Sequence, residues 1–192
     1  LQAPVIALLG LIDEDPQLLR FAARIAIAAC HCKSWGPHFM QDFPGSTIDS
    51  RANAEAFAAA GIALALDWAG GWFTDAGEHL IRYNITHKAL GLVRGTFLQY
   101  DYMWDCNQTH MIGLGRLLSL LVQVGTARTP RSGGKPSAAL AGLSPEVTHG
   151  WPRASADVDQ FERDVYEMID RYIQPDGSAM EGVGYWGVSM RT

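Results

Sequence analysis

The apolar residues of this chain recur at intervals of three and four, and that spacing limits the fold more than any other feature. After Asp15-Pro16, which reads as an N-cap followed by proline at the first helical position, Leu18, Leu19, Ala22, Ile25, Ala26 and Ala29 fall on one helical face. "HCKSWGPHFMQDFPGST" (His31 to Thr47) then forms a long connection. A second helix is predicted from about Ser50 to Trp68, its alanines suited to close helix–helix packing, and "GGWFT" ends it. Thr74 or Asp75 caps a third, with Leu80, Ile81 and Ile85 on one face and Gly91 and Gly95 bracketing its end. A fourth is predicted over Asp105 to Val124. A fifth starts near Ser155 and carries Val158, Phe161, Val165, Met168, Ile169 and Tyr172. "QPDGSAMEG" reads as a turn, and "VGYWGVSM" would begin the next element. Between the last two helices, Gly125 to Arg153 is rich in Gly, Pro and Ser and is expected to be a long loop or insertion. There is no βαβ alternation and no glycine-rich phosphate loop. The expected class is all-α, and periodicity alone leaves a bundle, a solenoid and an α/α toroid open.

Composition narrows the function. The chain has 192 residues, 48% hydrophobic and 18% charged, enough to bury a core. A net charge of -5 without any basic run argues against a nucleic-acid partner, but it leaves room for a locally basic pocket. Cys30, Cys32 and Cys106 make neither a disulfide framework nor a persuasive zinc set, so no metal and no cofactor is expected. No apolar run is long enough for a membrane span, so no membrane partner is expected either. The chain begins without Met inside an apolar segment and ends at "GYWGVSMRT", and residues 1–192 are expected to be part of one domain of a longer protein.

Polar residues cluster in two places. Asn107 and His110 lie three apart at the start of the fourth helix, on one face with Gly113, whose missing side chain would leave room for a backbone or a ligand. The plainer alternative is polar decoration of a helix start, with His110 bonded to a neighbouring loop. "PDGSAMEGVGYWG", Pro175 to Gly187, sets Glu181, Tyr185 and Trp186 among four glycines, as either a sugar-stacking or catalytic surface or a tight turn over a buried aromatic pair.

Three stretches carry a family likeness. "ALALDWAGGWFTDAGEHLIRYNITHKAL" resembles the helical hairpin of heparinase II/III-like polysaccharide lyases: an Ala-rich helix ending in Asp-Trp, a short turn and a Thr-capped acidic helix start. "DGSAMEGVGYWG" resembles the D-G, E-G, Y-W signature of the same group and is the more specific match. "PQLLRFAARIAIAAC" with Trp35 fits the preceding hairpin. The likeness spans most of residues 1 to 124 and 155 to 190. It implies an incomplete (α/α) toroid of antiparallel helical hairpins, to which further helices and a β-sandwich region of the same chain would be joined. It also implies a secreted or periplasmic protein that cleaves an acidic polysaccharide or oligosaccharide by β-elimination. Asn107, His110 and Tyr185 match the family's catalytic parts. Gln108 and Thr109 separate Asn107 from His110 where many relatives show the pair adjacent, so Asn107 and Gln108 are both candidate neutralisers.

The chemistry suits these residue types. Elimination removes the C5 proton of a uronate, which is weakly acidic beside an ionised carboxylate. An amide from Asn107 or Gln108 would hold that carboxylate as charge develops. His110 would take the proton, and Tyr185 would protonate the leaving oxygen or serve as both base and acid. Gln108, Glu181 and Trp186 are the candidate substrate-binding residues, with Glu181 a capping carboxylate in the plainer view. Arg51 and Arg116 could meet substrate carboxylates, although a salt-bridged arginine is the default. Two alternatives stand beside the lyase. One is a glycoside hydrolase on an α/α barrel, drawing its two carboxylates from Asp101, Asp105, Asp176 and Glu181. The other is a non-catalytic carbohydrate-binding toroid.

Overall fold

A computed structural model of the chain describes residues 2–36, 53–91, 93, 108–124 and 154–179. These residues hold six α-helices: α1 (Ala3–Ile12), α2 (Pro16–Cys30), α3 (Asn53–Trp68), α4 (Asp75–Ile85), α5 (Gln108–Val124) and α6 (Ala154–Tyr172). Gly70–Trp72 is a short 3-10 turn between α3 and α4, and Thr86–Leu90 is a π turn after α4. Among the described residues there is no strand, only an isolated antiparallel bridge between Ile173 and Ala179. It closes the turn expected at "QPDGSAMEG", where Gly177 takes φ +81, a conformation that glycine adopts without strain. The described chain is all-α.

The helix starts follow their sequence signals. The Asp15 carboxylate accepts from the Gln17 amide at 2.7 Å and the Leu18 amide at 3.4 Å, with Pro16 behind it. Such a cap contributes about 1 kcal/mol. Thr74, not Asp75, caps α4: its hydroxyl accepts from the Gly77 amide at 3.1 Å, and Asp75 becomes the first helical residue, its charge favourable at the positive helix end. Past the π turn Gly91 is right-handed helical (φ -62, ψ -44) and the chain is still helical at residue 93, between the two glycines expected to bracket the end. The π turn is braced by Gln123 of α5, which donates to the Arg82 carbonyl at 3.1 Å and the Thr86 hydroxyl at 3.3 Å.

The π turn also finishes α2. Its Lys88 ammonium donates to the carbonyls of Cys30, at 2.7 Å, and of Cys32, while the Trp35 indole N–H donates to the Ala29 carbonyl at 2.9 Å. A cation on the last carbonyls of a helix satisfies orphan acceptors and opposes the negative end of the dipole.

Helix packing produces two rows. α3 lies between α1 and α5 in one row, and α2 packs beside α4 in the other, with α2 and α4 also against α3. α6 lies against α5. The core is built of small residues: Ala56, Ala59, Ala60, Ala63 and Ala65 of α3 are buried together with Ile62 and Leu66. A Cβ added at Gly115 of α5 would sit 2.5 Å from the Ala56 carbonyl oxygen, so α3 and α5 touch backbone to backbone there. Phe161, Met168 and Tyr172 of α6 are buried as expected, but Ile169 is 42% exposed, one residue off the stripe they define.

α1 is a helix that periodicity did not reveal. Its sequence is apolar all round and its Gln2 cap makes no side-chain bond. Ala3, Ala7 and Gly10 are buried, while Val5, Leu8, Leu9 and Ile12 form an exposed stripe.

Candidate functional site

His110 lies in the first turn of α5, half-buried, with Nε2 out of contact with solvent. Its ring meets the Tyr172 ring edge-on, with centroids 4.8 Å apart and planes inclined at 71°. Tyr172 itself is 1% exposed and ends α6. A histidine at this junction of two helices is held in orientation by packing.

The other expected site residues are distributed differently. Gln108 is the first residue of α5. Asn107, Glu181, Tyr185 and Trp186 lie outside the described residues, as do Arg51, Asp101 and Asp105, and the loop expected at Gly125 to Arg153. The structure therefore brings His110 to Tyr172, a residue that the sequence marked only as part of an apolar face.

Two expectations near His110 are corrected. Gly113 does not open space for a ligand: a Cβ there would meet the Phe161 ring at 3.5 Å and Met168 at 3.9 Å, because α6 already fills that side. Arg116 is not poised for a substrate carboxylate. It is 4% exposed, donates to Asp164 of α6 at 2.5 Å and lies over the Phe161 ring at 5.3 Å. Gln160 donates to the other Asp164 oxygen at 2.7 Å.

Asp176, a candidate hydrolase carboxylate, sits in the exposed turn after α6. It accepts from the Ser178 amide at 2.9 Å, and hydrogen bonding to Ser178 holds its carboxyl below the usual range. That favours the ionised form and disfavours a proton-donating role.

The two described cysteines differ sharply. Burial pushes the Cys30 thiol up to about 11, against the opposing effect of Lys88, whereas Cys32 is exposed. Since the thiolate is the reactive form, iodoacetamide is expected to modify Cys32 in the native protein and Cys30 only after unfolding. Peptide mass spectrometry of a labelling time course checks this; equal native rates would contradict it.

A feature absent from the sequence reading is an open cleft of about 820 Å³ between α2 and the segment from Trp72 to Leu80. Its signal was diluted across two helices and a turn: Arg20, Arg24 and Trp72 are not neighbours in sequence. Among the described residues no group of three His, Cys, Asp or Glu side chains could hold a metal ion, and no helix is long and apolar enough to cross a membrane.

Comparison with family models, with curated proteins and with solved structures gives no match.

Proposed function

We propose that the chain is the helical part of a polysaccharide lyase that cleaves a uronic-acid-containing polysaccharide or oligosaccharide by β-elimination, its helices forming part of an (α/α) toroid. The observation that carries this is the arrangement of successive helices in two rows, α1–α3–α5 and α2–α4, in which each hairpin packs beside the next. Alternation of that kind is what a layered α/α architecture requires. The heparinase-like signatures at residues 63–90 and 176–187 supply the chemistry.

In this mechanism His110 takes the C5 proton of the uronate. Packing on the Tyr172 ring fixes the orientation of the imidazole. Asn107 or Gln108 holds the uronate carboxylate as charge develops on it. Tyr185 gives a proton to the glycosidic oxygen as the C4–O bond breaks, leaving a C4=C5 double bond. The partner is an acidic glycan outside the cell or in the periplasm.

The test is absorbance of the unsaturated product when the full-length protein is given a panel of uronate polysaccharides. The parent is expected to generate that absorbance. His110→Ala and Tyr185→Phe are each expected to lower the rate by at least about 100-fold, the usual weight of a general acid or base.

The packing of His110 on the buried Tyr172 ring favours a second reading, a carbohydrate-binding module in which this histidine is structural. Glycan binding without any unsaturated product, with His110→Ala lowering stability and leaving affinity intact, would select it. Reducing ends appearing without absorbance would select hydrolysis.

A further inference from the structure

The cleft between α2 and α4 supports an inference separate from the elimination site, since none of its lining residues comes from α5 or α6. Ile27, Ala28, Phe73 and Leu80 give it an apolar lining. Arg20 and Arg24 of α2 and His31 just after it line it too, all exposed, and among the described residues no Asp or Glu does. In a chain of net charge -5, that is a local reversal of sign. Among the described residues neither Arg20 nor Arg24 is in an ion pair. The Arg20 guanidinium lies over the Trp72 ring at 5.2 Å, at the edge of the apolar surface.

We infer that this cleft binds an amphipathic carboxylate, an aliphatic or aromatic body lying on the apolar lining with its carboxylate held by Arg20 and Arg24. The volume is that of a small-molecule site. Arginine fits a carboxylate through paired charge-assisted hydrogen bonds. The lining suits a sugar poorly. Besides the cationic side chains, the polar side-chain groups among its described lining are the Thr74 hydroxyl and the Trp72 indole N–H, too few to pair the ring hydroxyls of a uronate, most of which would lie against hydrocarbon. A compact inorganic anion would leave the apolar lining unused.

Isothermal titration of the full-length protein with octanoate tests this, with octan-1-ol and glucuronate as comparison ligands. One saturable octanoate site is expected, with octan-1-ol at least about tenfold weaker because it lacks the charge. The double substitution Arg20→Gln/Arg24→Gln, at exposed positions, is expected to weaken octanoate by at least about tenfold while circular dichroism is unchanged. No saturable octanoate binding would overturn the inference, as would equal binding of octan-1-ol or preferential binding of glucuronate. The comparison of octanoate with octan-1-ol uses the unsubstituted protein, so it decides the matter even if the double variant fails to fold.

Discussion

Gly115→Ala is expected to destabilise the protein by about 2–4 kcal/mol, while Gly113→Ala, two residues earlier in the same helix, is expected to be neutral or to stabilise it by up to about 1 kcal/mol. Helix propensity favours alanine equally at both positions. The difference is what the new methyl meets. At Gly115 it would lie 2.5 Å from the Ala56 carbonyl oxygen and 2.6 Å from the Ala56 methyl, and a backbone atom of a central helix cannot rotate away. At Gly113 it would make an ordinary contact with the Phe161 ring at 3.5 Å. Urea unfolding checks the pair: the midpoint falls for Gly115→Ala and holds or rises for Gly113→Ala, with the slope m unchanged. A Gly115→Ala protein as stable as its parent would mean that α3 and α5 are not in backbone contact.

Asp164→Ala is expected to cost about 3–5 kcal/mol, the range found when one member of a buried ion pair is removed. The loss comes from the guanidinium left behind. Arg116 is 4% exposed and would keep its charge beside the Phe161 ring without the Asp164 carboxylate to which it donates. The double variant Arg116→Met/Asp164→Leu removes both charges and keeps most of the volume, so it is expected to recover most of that loss. A double-mutant cycle from thermal or urea unfolding separates the two cases. Losses that simply add would show that the two residues do not act as a pair.

Helix positions were legible where two signals agreed. Asp15 and Thr74 are good caps beside periodic apolar residues, and both start helices. α1 has no such agreement: a segment apolar on every side has no period to detect, and Gln2 is not a capping side chain. The π turn at Thr86–Leu90 had no sequence signal, since a widened turn leaves the apolar spacing nearly unchanged over so few residues. The sequence placed Gly113 on the face of His110 correctly, but which glycine touches a neighbouring backbone depends on how α5 is rotated against α3, a tertiary property. The same holds for the site. His110 was singled out as polar at the start of an apolar helix, yet its contact with Tyr172 comes from α6 crossing α5. Asn107, Glu181, Tyr185 and Trp186 fall outside the described residues, so His110 is the member of the expected catalytic set whose side-chain surroundings are known.

More than half of the buried apolar residues among those described are alanines, and this inverts the usual pattern of mutational tolerance. In a core of large side chains, damage comes from trimming. Here many of the buried positions have little to trim: the helices are held close by residues that are already small, and at those positions the sensitive direction is growth. Drift in such a protein would be confined at Gly115, where a single added carbon meets the backbone of α3, and at the fully buried Ala22, Ala26, Ala56 and Ala63, and comparatively free at the larger partly exposed positions around them. Descendants of this chain would then keep a recognisable spacing of small residues long after their large apolar residues had been exchanged.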